Sequence, residues 1–512
     1  MFTGVYLYMN KLLATLFVVV YPLLMSFIPR DKELKSIERF ARMSGAGFTF
    51  VRGRRRVGKT WLLKEYEASN PNCFYFMGID DTDDAGSRKS FSVNWSHFSG
   101  DRSLLELSSE YRSWQRIFKE ISNFLKSNTD KQLFLVLDEV QWIAKKNSGF
   151  VSLLKQAWVD WQRIGNIKVV LCGSSNKFFA KKTSGAQDVL RGIKTSASIW
   201  VEEFSLSEVE KYYLSTWSRP EICLTYMMLG GSPYYLESLD PEKGFVHAIN
   251  DAVFTNRSIF LDEVNQVLKL EFNSTGLETS KRILSVIGQK GSSISTISKK
   301  LNMPISSVLS AINSLVEYGI LFLKVPFDKS SKTSHSSQRR ALYCMRDFYL
   351  NFYFQVLHSF VDIIKHNQDQ LIFTSKSLLS NQGYYMPNFS GKGFELLVER
   401  VLRKKGLDIP IKTKLQLKTP AYTVGTYWDK STEIDLLVDD PNDRILRLIE
   451  CKWVGLDSKF SQHKKELQMK RYPQVANYSM KKYLLAAYAA SEKQRKLAED
   501  DGVMVLSLDD LF

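Results

Sequence analysis

Cysteine is scarce in this chain. There are five in 512 residues, at 73, 172, 223, 344 and 451, and no two form a Cys-x-x-Cys pair. The six histidines do not cluster with them. This excludes a disulfide framework and a zinc-ligand signature, and it points to a reduced, cytoplasmic chain. Internal repeats are absent as well, which argues against solenoid and propeller folds. Long apolar runs are nearly absent: the one candidate, Leu12–Met25, is broken by Thr15 and Pro22. It is short for a membrane span, and no small-residue cleavage site follows it. Three readings of residues 1–26 compete: a signal anchor, a packed helix, or a chain whose true start is Met25. The last is preferred, and a membrane contact is expected only if residues 1–26 are translated.

What is present is apolar and basic. Hydrophobic residues make up 44% and aromatics 13% of the chain, enough to build several cores and to exclude wholesale disorder. The length suggests about three domains. A net charge of +16 calls for a phosphate-bearing partner: nucleic acid, nucleotide or a membrane surface. Its one concentration is residues 281–346, where 11 basic residues face 2 acidic ones.

From Phe27 the pattern becomes regular. Helices are expected at Asp31–Phe40, Trp61–Tyr66, Tyr111–Lys126 and Phe150–Ile164, and largely apolar strands at Phe48–Val51, Leu133–Leu137 and Lys168–Cys172. The polar residues 78–102 read as a long loop. Apolar strands alternating with helices predict an α/β fold with a parallel sheet. Beyond Phe204 the strand signals fade into helices around Gly230-Gly-Ser-Pro-Tyr-Tyr-Leu236, read as a helical lid.

Gly53-Arg54-Arg55-Arg56-Val57-Gly58-Lys59-Thr60 fits the G-x-x-x-x-G-K-[ST] phosphate-binding loop between a strand and a helix. Its backbone N–H groups would wrap a nucleotide's phosphates, Lys59 would supply a cation, and the Thr60 hydroxyl would ligate Mg²⁺. Downstream, an apolar strand ends in Asp138-Glu139. Asp138 would hold Mg²⁺ through water, and Glu139 would polarise the attacking water. Ser174, ending the next strand, would face the γ-phosphate or simply cap a helix. Arg54–Arg56 would meet phosphate or a partner, or remain a solvated face. ATP and Mg²⁺ are the expected ligands.

Taken with Phe27-Ile-Pro-Arg30-Asp-Lys-Glu-Leu34, Leu137-Asp-Glu-Val-Gln141, Gly173-Ser-Ser175 and the Gly230–Leu236 turn, these motifs resemble the archaeal-type P-loop ATPases, a branch related to AAA+ and STAND ATPases. The resemblance covers about residues 27–350. It implies ATP hydrolysis, and its start near Phe27 favours Met25 as the first residue. Where that family shows Leu-Tyr-Gly-Arg, this chain has Leu190-Arg-Gly-Ile193, without the arginine after the glycine. Rings are frequent among AAA+ relatives and monomeric switches among STAND ones, so an oligomer stays open.

Residues 281–322 read as three helical pieces with a turn at Asn302-Met-Pro304. The last carries Val308, Leu309, Ile312, Leu315 and Val316 on one face. A strand and a Ser-rich tip with Lys329, Lys332, Arg339 and Arg340 follow. This is a winged-helix pattern, and with its charge surplus it is expected to contact DNA.

In the last stretch Glu395 lies on a predicted helix, Asp435 starts a strand, and Glu450-Cys-Lys452 sits on the next. Alternation puts Glu450 and Lys452 on one face. The set resembles the PD-(D/E)xK nuclease superfamily, although Ile434 replaces its proline. The resemblance implies that Glu395, Asp435 and Glu450 bind metal and that Lys452 orients or deprotonates a water. The expected organisation is an apolar segment at 1–26, a P-loop ATPase core at 27–204, a helical lid at 205–275, a winged helix at 276–350, a linker at 351–385, and a restriction-endonuclease-like α/β domain at 386–512. The last either cuts DNA or binds it without cutting.

Overall fold

The computed structural model describes residues 30–80, 82–108, 112–146, 149–173, 195–269, 272, 274–288, 291–328, 340–366, 386–404, 409–453, 460–470, 472, 478–486 and 492–512. Residues 1–26, Ser174, Lys329, Lys332 and Arg339 lie outside this set, so the expectations placed on them are not addressed by it. Among the described residues, no helix is long and apolar enough to cross a membrane. The chain forms two units, Met1–Glu202 and Glu203–Phe512.

The first unit is an α/β layer structure. Helix α1 (Asp31–Ala41) precedes β1 (Gly47–Arg52) and α2 (Lys59–Ser69). Then come β2 (Cys73–Met77), α3 (Asp84–Ser99), α4 (Trp114–Ser127), β3 (Leu133–Asp138), α5 (Val140–Lys146), α6 (Phe150–Ile164), β4 (Ile167–Gly173) and β5 (Ala197–Trp200). The sheet order is β2-β3-β4-β1-β5, every pair parallel. The four strands β1–β4 are largely apolar because both faces are covered, whereas the edge strand β5 leaves Ser198 and Trp200 exposed. Leu133, Leu135 and Leu137 of β3 join one core with Trp95, Trp114 and Trp161. Their neighbours Phe134 and Val136 join the other, with Phe40, Leu62 and Leu63. The C-terminal ends of β1, β3 and β4 share one edge, with Arg52 beside Gly173 and Leu137 beside Leu171. In an open parallel sheet this edge is where ligands bind.

One expectation fails here. Residues 84–99, read as loop, form α3. Its serines hide the period, but Phe91 and Trp95 are buried one turn apart, and Ser87, Ser92 and Ser96 let the helix lie close. The ends were legible: Asp83 accepts from the Gly86 N–H, and Gly100 closes the helix in the left-handed region.

The second unit begins with helices, including α7 (Arg219–Leu229), α8 (Phe260–Lys269) and α9 (Ser274–Val286). Next are α10 (Ile294–Leu301), α11 (Ile305–Glu317), and an antiparallel pair, β6 (Leu321–Lys324) with β7 (Leu342–Met345). Asn302 adopts the left-handed conformation that turns α10 into α11. Of the expected α11 face, Val308, Ile312 and Leu315 are buried, whereas Leu309 and Val316 are exposed. The helix buries a narrower stripe than its composition suggests.

After α12 (Phe348–Gln355) and α13 (Met386–Arg403) comes a second sheet. It comprises β8 (Thr423–Trp428), β9 (Glu433–Asp439), β10 (Ile445–Lys452), β11 (Ser479–Ala486) and β12 (Val503–Ser507), with α14 (Phe460–Met469) and α15 (Glu492–Asp500) between strands. The order is β12-β11-β10-β9-β8. The pairs β8–β9 and β9–β10 are antiparallel, and the other two are parallel. Arg447, fully buried in β10, holds this domain together. It donates to Asp443 Oδ2 at 2.6 Å and to the carbonyls of Leu415, Gln416 (3.2 Å) and Ile445 (3.0 Å). Arg447→Met strips these groups of their partner and is expected to destabilise the domain by about 3–5 kcal/mol, read as a lower urea midpoint.

Candidate functional site

The loop between β1 and α2 is shaped by its glycines and by what packs against it. Gly58 has φ +86° and opens α2 with no side chain capping the helix, which leaves the first-turn N–H groups facing the loop. Arg56 also sits in the left-handed region, at φ +67°. At Gly53 the constraint is space: a Cβ would lie 2.3 Å from the Val201 carbonyl oxygen. Gly53→Ala must therefore displace the loop from the end of β5. It is expected to cost about 1–3 kcal/mol of stability and to weaken nucleotide binding, measured with a fluorescent ATP analogue.

Lys59 is buried, and its ammonium donates to the carbonyls of Gly53 (3.1 Å) and Arg54 (2.7 Å). Burial lowers its pKa, opposed by the nearby Cys172, Glu139 and Asp138. Asp138, at the end of β3, is fully buried. It accepts from Thr60 Oγ1 at 2.7 Å, from the Tyr75 hydroxyl at 2.7 Å and from the Glu139 N–H at 2.8 Å. A hydroxyl and a fixed carboxylate side by side are hard oxygen donors of the kind Mg²⁺ takes. Glu139 follows in the left-handed region (φ +46°), and its carboxylate accepts from Gln141 Nε2. Burial, then the neighbouring Asp138, raises its pKa above the ordinary carboxylate range. A raised pKa suits a group that must accept a proton near neutral pH. Val57 is buried in the α1–α2 core, Arg54 and Arg56 are partly exposed, and Arg55 is exposed.

Three residues here carried no role in the sequence reading. Tyr75, from β2, fixes Asp138, and no motif marks it. Gln141 holds Glu139 and stands inside the quoted Leu137–Gln141 motif. Arg30, buried before α1, donates to the carbonyls of Val57 (2.6 Å) and Glu202 (2.7 Å). It bolts the loop to the chain leaving β5.

A second cluster lies in the second unit. Asp435 of β9 accepts from the Cys451 N–H at 2.9 Å, between Glu450 and Lys452 of β10. Lys452 Nζ lies 2.7 Å from Glu450 Oε1, while Cys451 is buried on the other face. Burial opposes the charge on Lys452, but Glu450 and Asp435 outweigh it and hold its pKa above the ordinary lysine value. Glu395 of α13 faces Asp435, and burial with that second charge pushes its pKa up to about 7. Burial and Glu450 likewise raise Asp435. Two lysines missed by the sequence reading complete the set: Lys392 on Glu395 and Lys470 on Glu450. Carboxylate oxygens suit Mg²⁺. However, both oxygens of Glu395 and both of Glu450 carry lysine ammonium groups. Among the described residues, no three His, Cys, Asp or Glu side chains converge as a metal cluster. Trp453 packs on Phe394 rather than presenting a stacking face.

The basic stretch lies only partly among the described residues. Lys299 and Lys300 end α10, exposed. Arg340 is partly exposed and donates to the Trp428 carbonyl at 2.7 Å. Beside it the Phe327 N–H donates to Thr426 O at 2.7 Å, so the β6–β7 hairpin is tied to β8.

Comparison with known proteins agrees with the first site. Residues 27–239 match a family described as an ATPase domain predominantly from Archaea. Residues 359–465 match one described as archaeal and bacterial proteins of unknown function. An uncharacterised protein of Methanocaldococcus jannaschii is 24% identical over 84% of this chain and 88% of its own length. Among solved structures, the Walker-type ATPase of Pyrococcus abyssi is similar over 64% of this chain and 96% of its own, at 16% identity and a TM-score of 0.49. Cdc6p of Pyrobaculum aerophilum is similar over 66% and 96%, at 12% identity and a TM-score of 0.31. The protein thus carries an archaeal-type P-loop ATPase domain and is an ATPase, followed by a C-terminal α/β domain of a family without an assigned function.

Proposed function

We propose that this is a cytoplasmic Mg-ATPase whose hydrolysis cycle is coupled to binding, and to cutting, DNA by its second unit. In the first unit the Gly53–Thr60 backbone cradles the phosphates, Lys59 neutralises charge developing on the transferred phosphoryl group, and Glu139 orients the attacking water. Thr60 and Asp138 are the residues that would hold Mg²⁺. The α9–α11 helices with the β6–β7 pair act as a winged helix, with Lys299 and Lys300 available to phosphate.

The observation that carries the nuclease half is the placement of Asp435, Glu450 and Lys452 on adjacent strands, with Glu395 facing them from α13. A divalent ion held by Glu395, Asp435 and Glu450 would supply Lewis-acid activation of a phosphodiester. Lys452 would orient or deprotonate the attacking water and stabilise the pentacoordinate phosphorus. The test is incubation of supercoiled plasmid with Mg²⁺ or Mn²⁺, with and without ATP. Nicked or linear product supports cleavage. Unchanged plasmid in every nucleotide state, with binding that weakens as salt rises, leaves the second reading: a nucleotide-switched DNA-binding protein with an inactive nuclease-like domain. The lysines on Glu395 and Glu450 favour that alternative.

A further inference from the structure

Lys392 lies one turn before Glu395 on α13, and its ammonium reaches both carboxylate oxygens, at 2.5 and 2.8 Å, and Glu433 at 3.3 Å. Lys470, just past α14, reaches Glu450 Oε2 at 2.5 Å, opposite the oxygen taken by Lys452. These are not loose surface pairs. The side chains of Lys392 and Lys470 are 24% and 21% exposed, and that of Glu450 is 7% exposed. Charge-assisted contacts this short, partly shielded from water, are stronger than exposed ones. They also engage the oxygens a divalent ion would need, and a site's affinity for such an ion follows its net ligand charge. Lys392 and Lys470 offset two of those negative charges.

We propose that Lys392 and Lys470 are internal counter-ions that compete with a divalent cation for Glu395 and Glu450, so that metal enters the C-terminal cluster only as these ammonium groups leave. The inference rests on the reading of Glu395, Asp435 and Glu450 as metal ligands. Displaced, the two ammonium groups are free to pair with polynucleotide phosphate, so metal and DNA favour each other's binding, and the coupling is reciprocal. The cluster is thereby kept from loading metal before its substrate is present.

The test is calorimetric titration of the full chain with Mn²⁺ alone, counting only the heat lost in Asp435→Asn, which separates this site from the ATPase site. The Lys392→Met, Lys470→Met double variant is expected to bind Mn²⁺ at least about tenfold more tightly than wild type. Adding a duplex oligonucleotide is expected to tighten Mn²⁺ binding in wild type and to do so less in the variant. Lys392→Gln with Lys470→Gln replaces the pair if methionine unfolds the domain. Equal Mn²⁺ affinity in wild type and variant overturns the competition while leaving the metal ligands in place. No Asp435-dependent heat in any of the proteins contradicts both the competition and the metal-binding reading.

Discussion

Lys59→Ala is expected to lower ATP turnover by about 10²–10³-fold and to weaken nucleotide binding, whereas Glu139→Gln lowers turnover as far while leaving binding intact. The difference follows from position. Lys59 begins α2 within reach of the Gly53 and Arg54 carbonyls, and in the proposed site it would meet phosphate in the bound state and in the transition state alike. Glu139 lies beyond the end of β3, behind the Asp138 that is fixed by Thr60 and Tyr75. Its raised pKa and its Gln141 partner fit a group that acts on water rather than on nucleotide. Phosphate release and fluorescent-nucleotide titration, run on both variants, check the pair. Turnover surviving in both would remove the assigned site.

Lys452→Ala is expected to abolish metal-dependent DNA cleavage, a loss of about 10²-fold or more, with ATP turnover unchanged. Lys452 shares Glu450 with Lys470 and lies beside Asp435, so its removal leaves two strand carboxylates with one cation fewer. Metal binding should survive or tighten while the phosphate loses its stabilising charge. Asp435→Asn should lose both metal and cleavage. Agarose-gel cleavage time courses separate the two variants, and equal cleavage by wild type and Lys452→Ala would point to a contaminating nuclease.

Much of this was legible in the residues because the relevant signals are local. A glycine-bounded loop between strand and helix, an apolar strand ending in Asp138-Glu139, and Glu450 and Lys452 two apart on a strand all read directly. What was not legible depends on contacts between elements distant in sequence. Tyr75 reaches Asp138 from another strand, and Lys470 reaches Glu450 from beyond the next helix. Neither has a spacing rule. Helix α3 was hidden for a different reason. Its burial is carried by two aromatic rings and small serines, so the polar average misled, although Asp83 and Gly100 marked its ends. The charge surplus in 281–346 reads directly from composition, whereas the Arg340 contact with the Trp428 carbonyl joins positions 88 apart and has no local signal.

The most direct test of coupling between the ATPase and DNA is steady-state ATP turnover measured against increasing duplex DNA at low salt. A rise of several-fold that saturates with DNA, disappears at high salt and is absent in Glu139→Gln is the expected result. A flat turnover curve, with no salt-sensitive DNA binding at any nucleotide state, would contradict it.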